Sequence, residues 1–463
     1  MKPEYTAVPT MECSVDVTWL FRRLRPPRTF VLPLHWCFTA IALIAMQFVF
    51  AQDHKGRPNI ILIMADDLGY ETLACNGNDV NRTPNLDRLA AKGMRFTSAY
   101  STPLCTPTRV QMMTGKYNFR NYVGFGLLKH GEKTFAHLLK NEGYATGIAG
   151  KWQLLGNEKQ RKLAGGKSGS RPEEAGFDKY CLWQIDSLGS RFKDPLIVTN
   201  GESKTYDEKY GPDIFADFAL RFIEQNRDSS FFLYYPMVLT HDPFQYTPNT
   251  PGFKDFDVTT DLNDPEYFKD MVEYMDMIVG RIVDKVHESG LSKNTIILFT
   301  GDNGTHRSVV SSFQGKPFRG DKGQTTKFGT HVPLIAYWDG IIENGRVNDN
   351  LVDFTDFLPT IMDAVNAKVP RDFHTDGLSF YKQLLNKKVK AREWVYCAYD
   401  PNWGGRKAAT WAHNHKSKLY GDDRLYDLEI DPEENNPLSG QQLNAAAKKA
   451  KKALATALEK YNH

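Results

Sequence analysis

The sequence predicts an α/β protein: a mixed, mostly parallel sheet sandwiched by helices, followed by a smaller C-terminal α+β domain. Short apolar runs bounded by turn or helix signals alternate with helical patterns up to about residue 370. Beyond that point short strands follow one another before a last helix. Bulk agrees: 463 residues with 41% apolar and 24% charged side chains are too rich in core-forming material for a disordered scaffold and too poor for a multi-pass membrane protein.

Residues 1–51 read as an export signal. Arg22, Arg23, Arg25 and Arg28 precede an apolar run from Phe30 to Phe50, and Val49-Phe50-Ala51 suits a signal peptidase, which would leave Gln52 first. The alternative is an uncleaved anchor, since the run is just long enough to span a bilayer. Cleavage predicts an exported protein, periplasmic or extracellular, with no stable membrane insertion. The remaining chain divides into residues 52–370, carrying the large sheet, and 371–463, the α+β part.

The elements follow in order. Asn59–Ala65 is a buried-strand pattern ending at Asp66-Asp67; Thr83-Pro84 starts a helix, with Thr83 as N-cap, that Gly93 closes. Lys133–Glu142 is a helix closed by Gly143, and Tyr144–Ala149 a strand ending at Lys151. From Gly156 to Glu174 the chain lacks periodicity and reads as a long exposed loop. Phe231–Leu239 is a strand ending near His241, Tyr267–Ser289 an amphipathic helix, Thr295–Thr300 a strand ending at Gly301-Asp302-Asn303-Gly304, and Asp353–Val365 a helix. The pattern changes near Val369–Phe373; Trp394–Tyr399, Ala408–Ala412 and Arg424–Leu428 read as short antiparallel strands before a helix from Gln441 to Tyr461.

Charge and cysteine usage narrow the function. The formal net charge is +3, and the leader holds five basic and three acidic residues, so the exported body is nearly neutral and has no footprint for a nucleic-acid backbone. Cys13, Cys37, Cys75, Cys105, Cys181 and Cys397 show neither a disulfide framework nor paired zinc spacing.

In open α/β sheets ligands bind beyond the carboxyl ends of strands, and four predicted strands deliver polar groups to one such edge. Asp66-Asp67 and Asp302-Asn303 together make an all-oxygen cluster suited to calcium or magnesium rather than zinc. Pro107 suits the first turn of a helix, which places Cys105 just before a helix N-terminus, where the dipole favours a negatively charged reacting group.

Cys105-Thr106-Pro107-Thr108-Arg109 resembles the maturation signature of type I, formylglycine-dependent sulfatases of the alkaline-phosphatase-like superfamily. The resemblance continues through Asn59–Gly69, Thr83–Asp87, Gly150-Lys151-Trp152, Gly176-Phe177-Asp178, Thr240–Phe244, Gly301–Gly304, Lys322-Gly323 and Leu425–Leu428. It implies the alkaline-phosphatase-like fold and a sulfuric ester hydrolase acting on a sulfate ester, with sulfated carbohydrate as the substrate class. It also implies Cys105 oxidised to formylglycine by a maturation enzyme, and one calcium per chain held by Asp66, Asp67, residue 105, Asp302 and Asn303. Arg109 and Lys151 would hold the formylglycine hydrate, Asp302 take its proton, Lys151 and Lys322 neutralise sulfate, and His241 protonate the leaving alcohol. Gln153, Arg319 and Asp321 are candidate substrate contacts.

Departures stand at Thr108, where the family usually has Ser, at Gln153, where it usually has His, and at Lys327 and His331, which replace a Glu and an Arg expected to support the scaffold. They keep two alternatives open: a phosphoesterase or phosphonate-ester hydrolase on the same scaffold, and a carbohydrate-binding pseudoenzyme.

Overall fold

Asn59–Ala65 is apolar at nearly every position rather than at alternate ones, the pattern of a strand covered on both faces. In the computed structural model, which describes residues 56–257 and 263–461, it forms β1 in the middle of an eleven-stranded sheet. The leader reading of residues 1–51 lies outside the described residues. The remaining strands of the sheet are β2 (Met94–Tyr100), β3 (Ala145–Lys151), β4 (Lys179–Trp183), β5 (Leu196–Thr199), β6 (Glu202–Thr205), β7 (Phe231–Pro236), β8 (Thr295–Gly301), β11 (His331–Tyr337), β12 (Arg346–Asn348) and β13 (Val352–Asp353). Between β8 and β11 the chain makes a separate hairpin of β9 (Val310–Phe313) and β10 (Lys316–Arg319).

The order is β12-β2-β11-β8-β1-β7-β3-β4-β5-β6, with β13 also on β2. Strands β8, β1, β7, β3 and β4 run parallel, while β11 is antiparallel to β8 and β5 to β4. Thus the four strands expected to carry polar groups at their carboxyl ends are immediate neighbours.

Helices cover both faces. On one, Ile60, Leu62 and Met64 pack with α2 (Cys105–Thr114), α3 (Phe135–Asn141) and α6 (Phe357–Ala364). On the other, Ile61 and Ile63 meet α1 (Pro84–Lys92), α4 (Gly211–Gln225) and α5 (Phe268–Glu288). Alternate residues of one strand therefore belong to two separate cores, and β1 cannot slip by one residue without exchanging them.

Three local expectations change. Thr83 is not a side-chain cap: its hydroxyl accepts from Ala74 N (3.0 Å) and bonds Asp87 (3.1 Å). The free N–H groups of Asn85 and Leu86 go instead to the buried carboxylate of Asp276 on α5, at 3.1 and 2.8 Å, a tertiary cap invisible to local spacing. The stretch expected as a loop from Gly156 to Glu174 contains a helix, Glu158–Leu163, capped by Asn157 and too short to show a period. The strand expected through Leu239 stops at Pro236, which has no N–H to continue the ladder.

After residue 370, β14 (Val395–Tyr399), β15 (Ala409–His413), β16 (Ser417–Tyr420) and β17 (Leu425–Asp427) form an antiparallel sheet; β16 was not expected from sequence. One face takes α7 (Ala445–Glu459) through Ala412, Leu419, Leu454 and Leu458. The other sets Cys397, Tyr399, Trp411 and Tyr420 against Leu104, Cys105 and Phe125, so this small sheet backs the start of α2. Lys55–His463 accordingly make one compact unit. Cys75, Cys105, Cys181 and Cys397 are free thiols, and among the described residues no helix is long and apolar enough to cross a membrane.

Arg392, just before β14, is tied to buried Asp356 by Nε (2.9 Å) and by Nη2. Removing one partner strands the other charge in the core. Arg392→Ala should therefore lose about 3–5 kcal/mol of stability, read from the urea midpoint; a loss under about 1 kcal/mol would match an exposed pair instead.

Candidate active site at the carboxyl edge of the sheet

Each of the four neighbouring parallel strands ends on a functional side chain. β1 delivers Asp66 and Asp67, β8 delivers Asp302 and Asn303, and β3 ends in Lys151. Beyond β7 the ladder with β1 continues irregularly: Asp66 N bonds Leu239 O (2.8 Å) and Thr240 N bonds Asp66 O (2.7 Å), which brings His241 to the same edge.

The carboxylates are buried and closely interlocked. Lys151 Nζ donates to Asp66 Oδ2 at 2.8 Å, with both side chains about 1% exposed. Asp67, held in a left-handed conformation (φ 62°), gives its N–H to Asp302 Oδ1 (2.9 Å) and accepts from Asn303 Nδ2 (2.8 Å) and from Lys322 Nζ. Lys322 Nζ is also 3.0 Å from His241 Nε2, and His241 Nδ1 lies 2.6 Å from the Asp242 carbonyl oxygen. Because an ammonium only donates, His241 Nε2 is the acceptor here and Nδ1 carries the ring proton.

Electrostatics show a site short of positive charge. Burial works against the Asp66 carboxylate, yet Lys151, Lys322 and Arg191 hold its proton affinity far below the usual carboxylate range. Asp302 goes the other way: burial, then Asp66 and Asp67, push it well above that range. Burial opposes the charge on Lys322, but Asp67 and Asp66 outweigh it and keep the ammonium protonated.

A hard cation fits this donor set. Asp66 Oδ1 and Asn303 Oδ1 are buried without a hydrogen-bond partner, and oxygen ligands of Asp66, Asp67 and Asp302 are what such an ion takes. Donor atoms of Asp66, Cys105 and Asp302 lie within 4.8 Å of one another, as do those of Asp66, Asp67 and His241.

Cys105 is the first residue of α2, fully buried, and burial raises its thiol pKa. Gln153 Oε1 is 3.9 Å from its Sγ, and Gln153 takes φ 46° to reach there. Thr108, the departure from serine, uses its hydroxyl to accept Thr102 N (3.0 Å) and to pair with Thr102 Oγ1 (2.7 Å), which closes the loop leading into α2. Arg109 spends Nη1 and Nη2 on the carbonyls of Trp152 (2.6 Å) and Lys151 (2.8 Å), while its Nε is buried and unpartnered. It fixes the end of β3, and with it Lys151 and Gln153. Arg319 and Asp321 stand apart from this group: Arg319 bonds Arg307 O on the exposed hairpin, and Asp321 accepts from Thr326. His331 stacks between Tyr70 and Tyr100 (4.2 and 5.0 Å) and bonds Thr97 O, a packing position. Lys327 begins a short helix, and its N–H bonds Glu434.

Two participants escaped the sequence reading. Arg191 stacks on Trp183 at 4.1 Å, with Nη1 buried and unpartnered, and its charge is felt at Asp66. It lies in an irregular stretch without a motif. Glu71 is buried behind the Asp66–Gly69 loop and accepts from Thr305 Oγ1, which itself accepts Gly69 N at 3.1 Å.

The chain matches the family model Sulfatase over residues 58–367. It belongs to the sulfatase family. A second model, N-sulphoglucosamine sulphohydrolase, C-terminal, matches residues 321–462. Among relatives, an arylsulfatase of Hemicentrotus pulcherrimus is 32% identical over 370 residues, covering 74% of this chain and 64% of that protein, so the match spans under two thirds of the relative's length. An N-acetylgalactosamine-6-sulfatase of Mus musculus is 30% identical over 384 residues, 73% of this chain and 68% of its own. Among solved structures, a protein in complex with its substrate D-glucosamine-2-N,6-O-disulfate superposes with TM-score 0.72 at 22% identity, covering 88% of this chain and 98% of that one. The shared fold is the alkaline-phosphatase-like sandwich, and the relatives this sulfatase-family chain matches are themselves named sulfatases.

Burial raises the Glu71 pKa to about 7, so the folded state holds a proton that the unfolded chain releases at ordinary carboxylate pH. Stability should fall as pH rises from about 4.5 to 7, by an amount of order 3 kcal/mol. Urea unfolding at several pH values checks this; Glu71→Gln should flatten the decline in that window, and an unchanged slope in the variant would assign it to another group.

Proposed function

We propose that this protein is an exported sulfatase that hydrolyses sulfate esters of carbohydrates, using formylglycine made from Cys105 by a maturation enzyme and one bound calcium. The observation that carries the reading is the junction of Cys105, at a helix N-terminus, with a buried cluster of three carboxylates and the Asn303 amide in which Asp66 Oδ1 and Asn303 Oδ1 are unpartnered. Asp66, Asp67, Asp302, Asn303 and the modified residue 105 would hold the calcium, which supplies positive charge against the sulfate oxygens. The formylglycine hydrate supplies a hydroxyl nucleophile and, after sulfate transfer, a way back to the aldehyde that a serine or cysteine ester lacks.

The chain's own side chains do the rest. Lys151, anchored on Asp66, and Lys322, anchored on Asp67, place two cations where sulfate charge must be neutralised. Arg109 orients the Lys151–Trp152 backbone and so holds Gln153 against position 105, where its amide can position a hydroxyl by hydrogen bonding without exchanging a proton. Asp302 is the proton acceptor beside position 105. His241 and Lys322, within hydrogen-bond distance of each other, form the proton-delivering pair on the leaving-group side. Export rests on the leader pattern of residues 1–51, and the carbohydrate class on the sugar sulfatase among the relatives and the sugar disulfate bound by the structural neighbour.

Parallel assays on sulfate and phosphate monoesters of one alcohol test the reading in protein co-expressed with a maturation enzyme. The expected result is a kcat/KM at least about 100-fold higher on the sulfate and no detectable turnover by Cys105→Ala. A preference for phosphate would support a phosphoesterase instead, and wild-type rates in Cys105→Ala would remove residue 105 from the chemistry.

A further inference from the structure

A cavity of about 850 Å³ opens next to the Lys322-Gly323 turn. Its lining includes Gly323, Tyr399, Arg406, Lys407, Thr410 and Arg424. The reaction described above uses none of these side chains. Arg424 has partners of its own in Asp422 (2.9 Å) and the Tyr426 hydroxyl (2.9 Å). Arg406 does not: no carboxylate among the described residues lies within ion-pair distance, and its Nε is buried without a hydrogen-bond partner.

Local structure holds Arg406 in place. A Cβ at Gly323 would come within 2.4 Å of Arg406 Nε, and one at Gly404 within 2.5 Å of Nη1, so the guanidinium packs close to both glycines. Gly323 (φ 80°) and Gly404 (φ 64°) also take left-handed backbone that favours glycine. The loop carrying Arg406 is pinned by Trp403, which stacks on Phe125 at 4.8 Å and 11°, and Phe125 packs in the cluster that contains Cys105. A second, independent observation comes from the cavity wall: Tyr399 is 98% buried, yet its hydroxyl has no hydrogen-bond partner. Tyr399 packs in the same hydrophobic cluster as Cys105 and lines the cavity together with Arg406.

An unpaired guanidinium and an unpaired hydroxyl in the wall of one polar cavity are what a carboxylate or sulfate group would satisfy, since the planar Arg fork matches two oxygens of either. A neutral sugar hydroxyl can accept a hydrogen bond but leaves the guanidinium charge uncompensated. Lys322 precedes Gly323 in the chain and Arg406 packs against Gly323, so the turn that presents Lys322 also borders the cavity.

We infer that this cavity is the subsite for a second anionic group of the substrate, a carboxylate or a further sulfate, held by the Arg406 guanidinium and the Tyr399 hydroxyl. The inference rests on the reading of the protein as a carbohydrate sulfatase and narrows it to polyanionic sugars.

The test is calorimetric binding to full-length Cys105→Ala protein, in which nothing is turned over. Three probes share one sugar: the monosulfate, the disulfate, and the monosulfate with a carboxylate in place of the second sulfate. Adding Arg406→Ala should weaken at least one doubly anionic probe about 10- to 100-fold and the monosulfate less than about 3-fold. Arg406→Lys should recover part of the loss, and Tyr399→Phe should weaken the same probe. The probe that responds more identifies the second group as sulfate or carboxylate. Equal weakening of all three probes, or no weakening of either doubly anionic one, would overturn the subsite. Wild-type turnover of the monosulfate is scored separately: Arg406-dependent binding without any turnover would keep the subsite and reject the proposed reaction.

Discussion

Three carboxylates buried side by side at the ends of β1 and β8 set the terms for the rest of the molecule. Taking Asp66, Asp67 and Asp302 out of water is costly unless positive charge or donors meet them. The fold answers with a lysine from the end of β3, a lysine from the turn after β10, and the Asn303 amide. This places β8, β1, β7 and β3 side by side in the sheet, because only neighbouring parallel strands bring these groups within one another's reach. The answer is incomplete, and the remaining imbalance is what a divalent cation would relieve: Asp302 is driven toward its proton, and two buried oxygens lack partners.

The small C-terminal sheet takes part in the same arrangement. Its inner face supplies Cys397, Tyr399, Trp411 and Tyr420 as the wall behind Leu104 and Cys105. The buried Arg392–Asp356 pair ties its first strand to the helical layer over the large sheet. Gly323 N bonds Pro103 O at 2.9 Å, and the turn that presents Lys322 is thereby linked to the loop that presents Cys105. Position 105 is thus held from three sides by elements far apart in sequence.

Much of this was legible in the sequence because it is written in strand ends. Asp66-Asp67, Lys151, His241 and Asp302-Asn303 each follow an apolar run, and parallel strands converge their carboxyl ends. The structure brings these together with Cys105, Gln153 and Lys322. What was not legible depends on contacts between distant segments. The cap on α1 comes from Asp276, nearly two hundred residues away; the Glu71–Thr305 brace joins two loops; Arg191 reaches the site from an irregular stretch. The sequence made only a weak case for Arg319 and Asp321 as pocket residues, and in the structure Arg319 bonds the Arg307 carbonyl and Asp321 accepts from Thr326. Short elements such as β16 and the helix at Glu158–Leu163 carry too few residues to show a period.

The proposal that the carboxylate cluster is a calcium site is tested most directly by titrating chelator-treated full-length protein with calcium in a calorimeter, alongside its thermal unfolding. The account predicts one saturable equivalent and a higher Tm with calcium bound, since a ligand of the folded state alone stabilises it. It also predicts that Asp66→Asn weakens both effects. No saturable heat and no rise in Tm at millimolar calcium would contradict it.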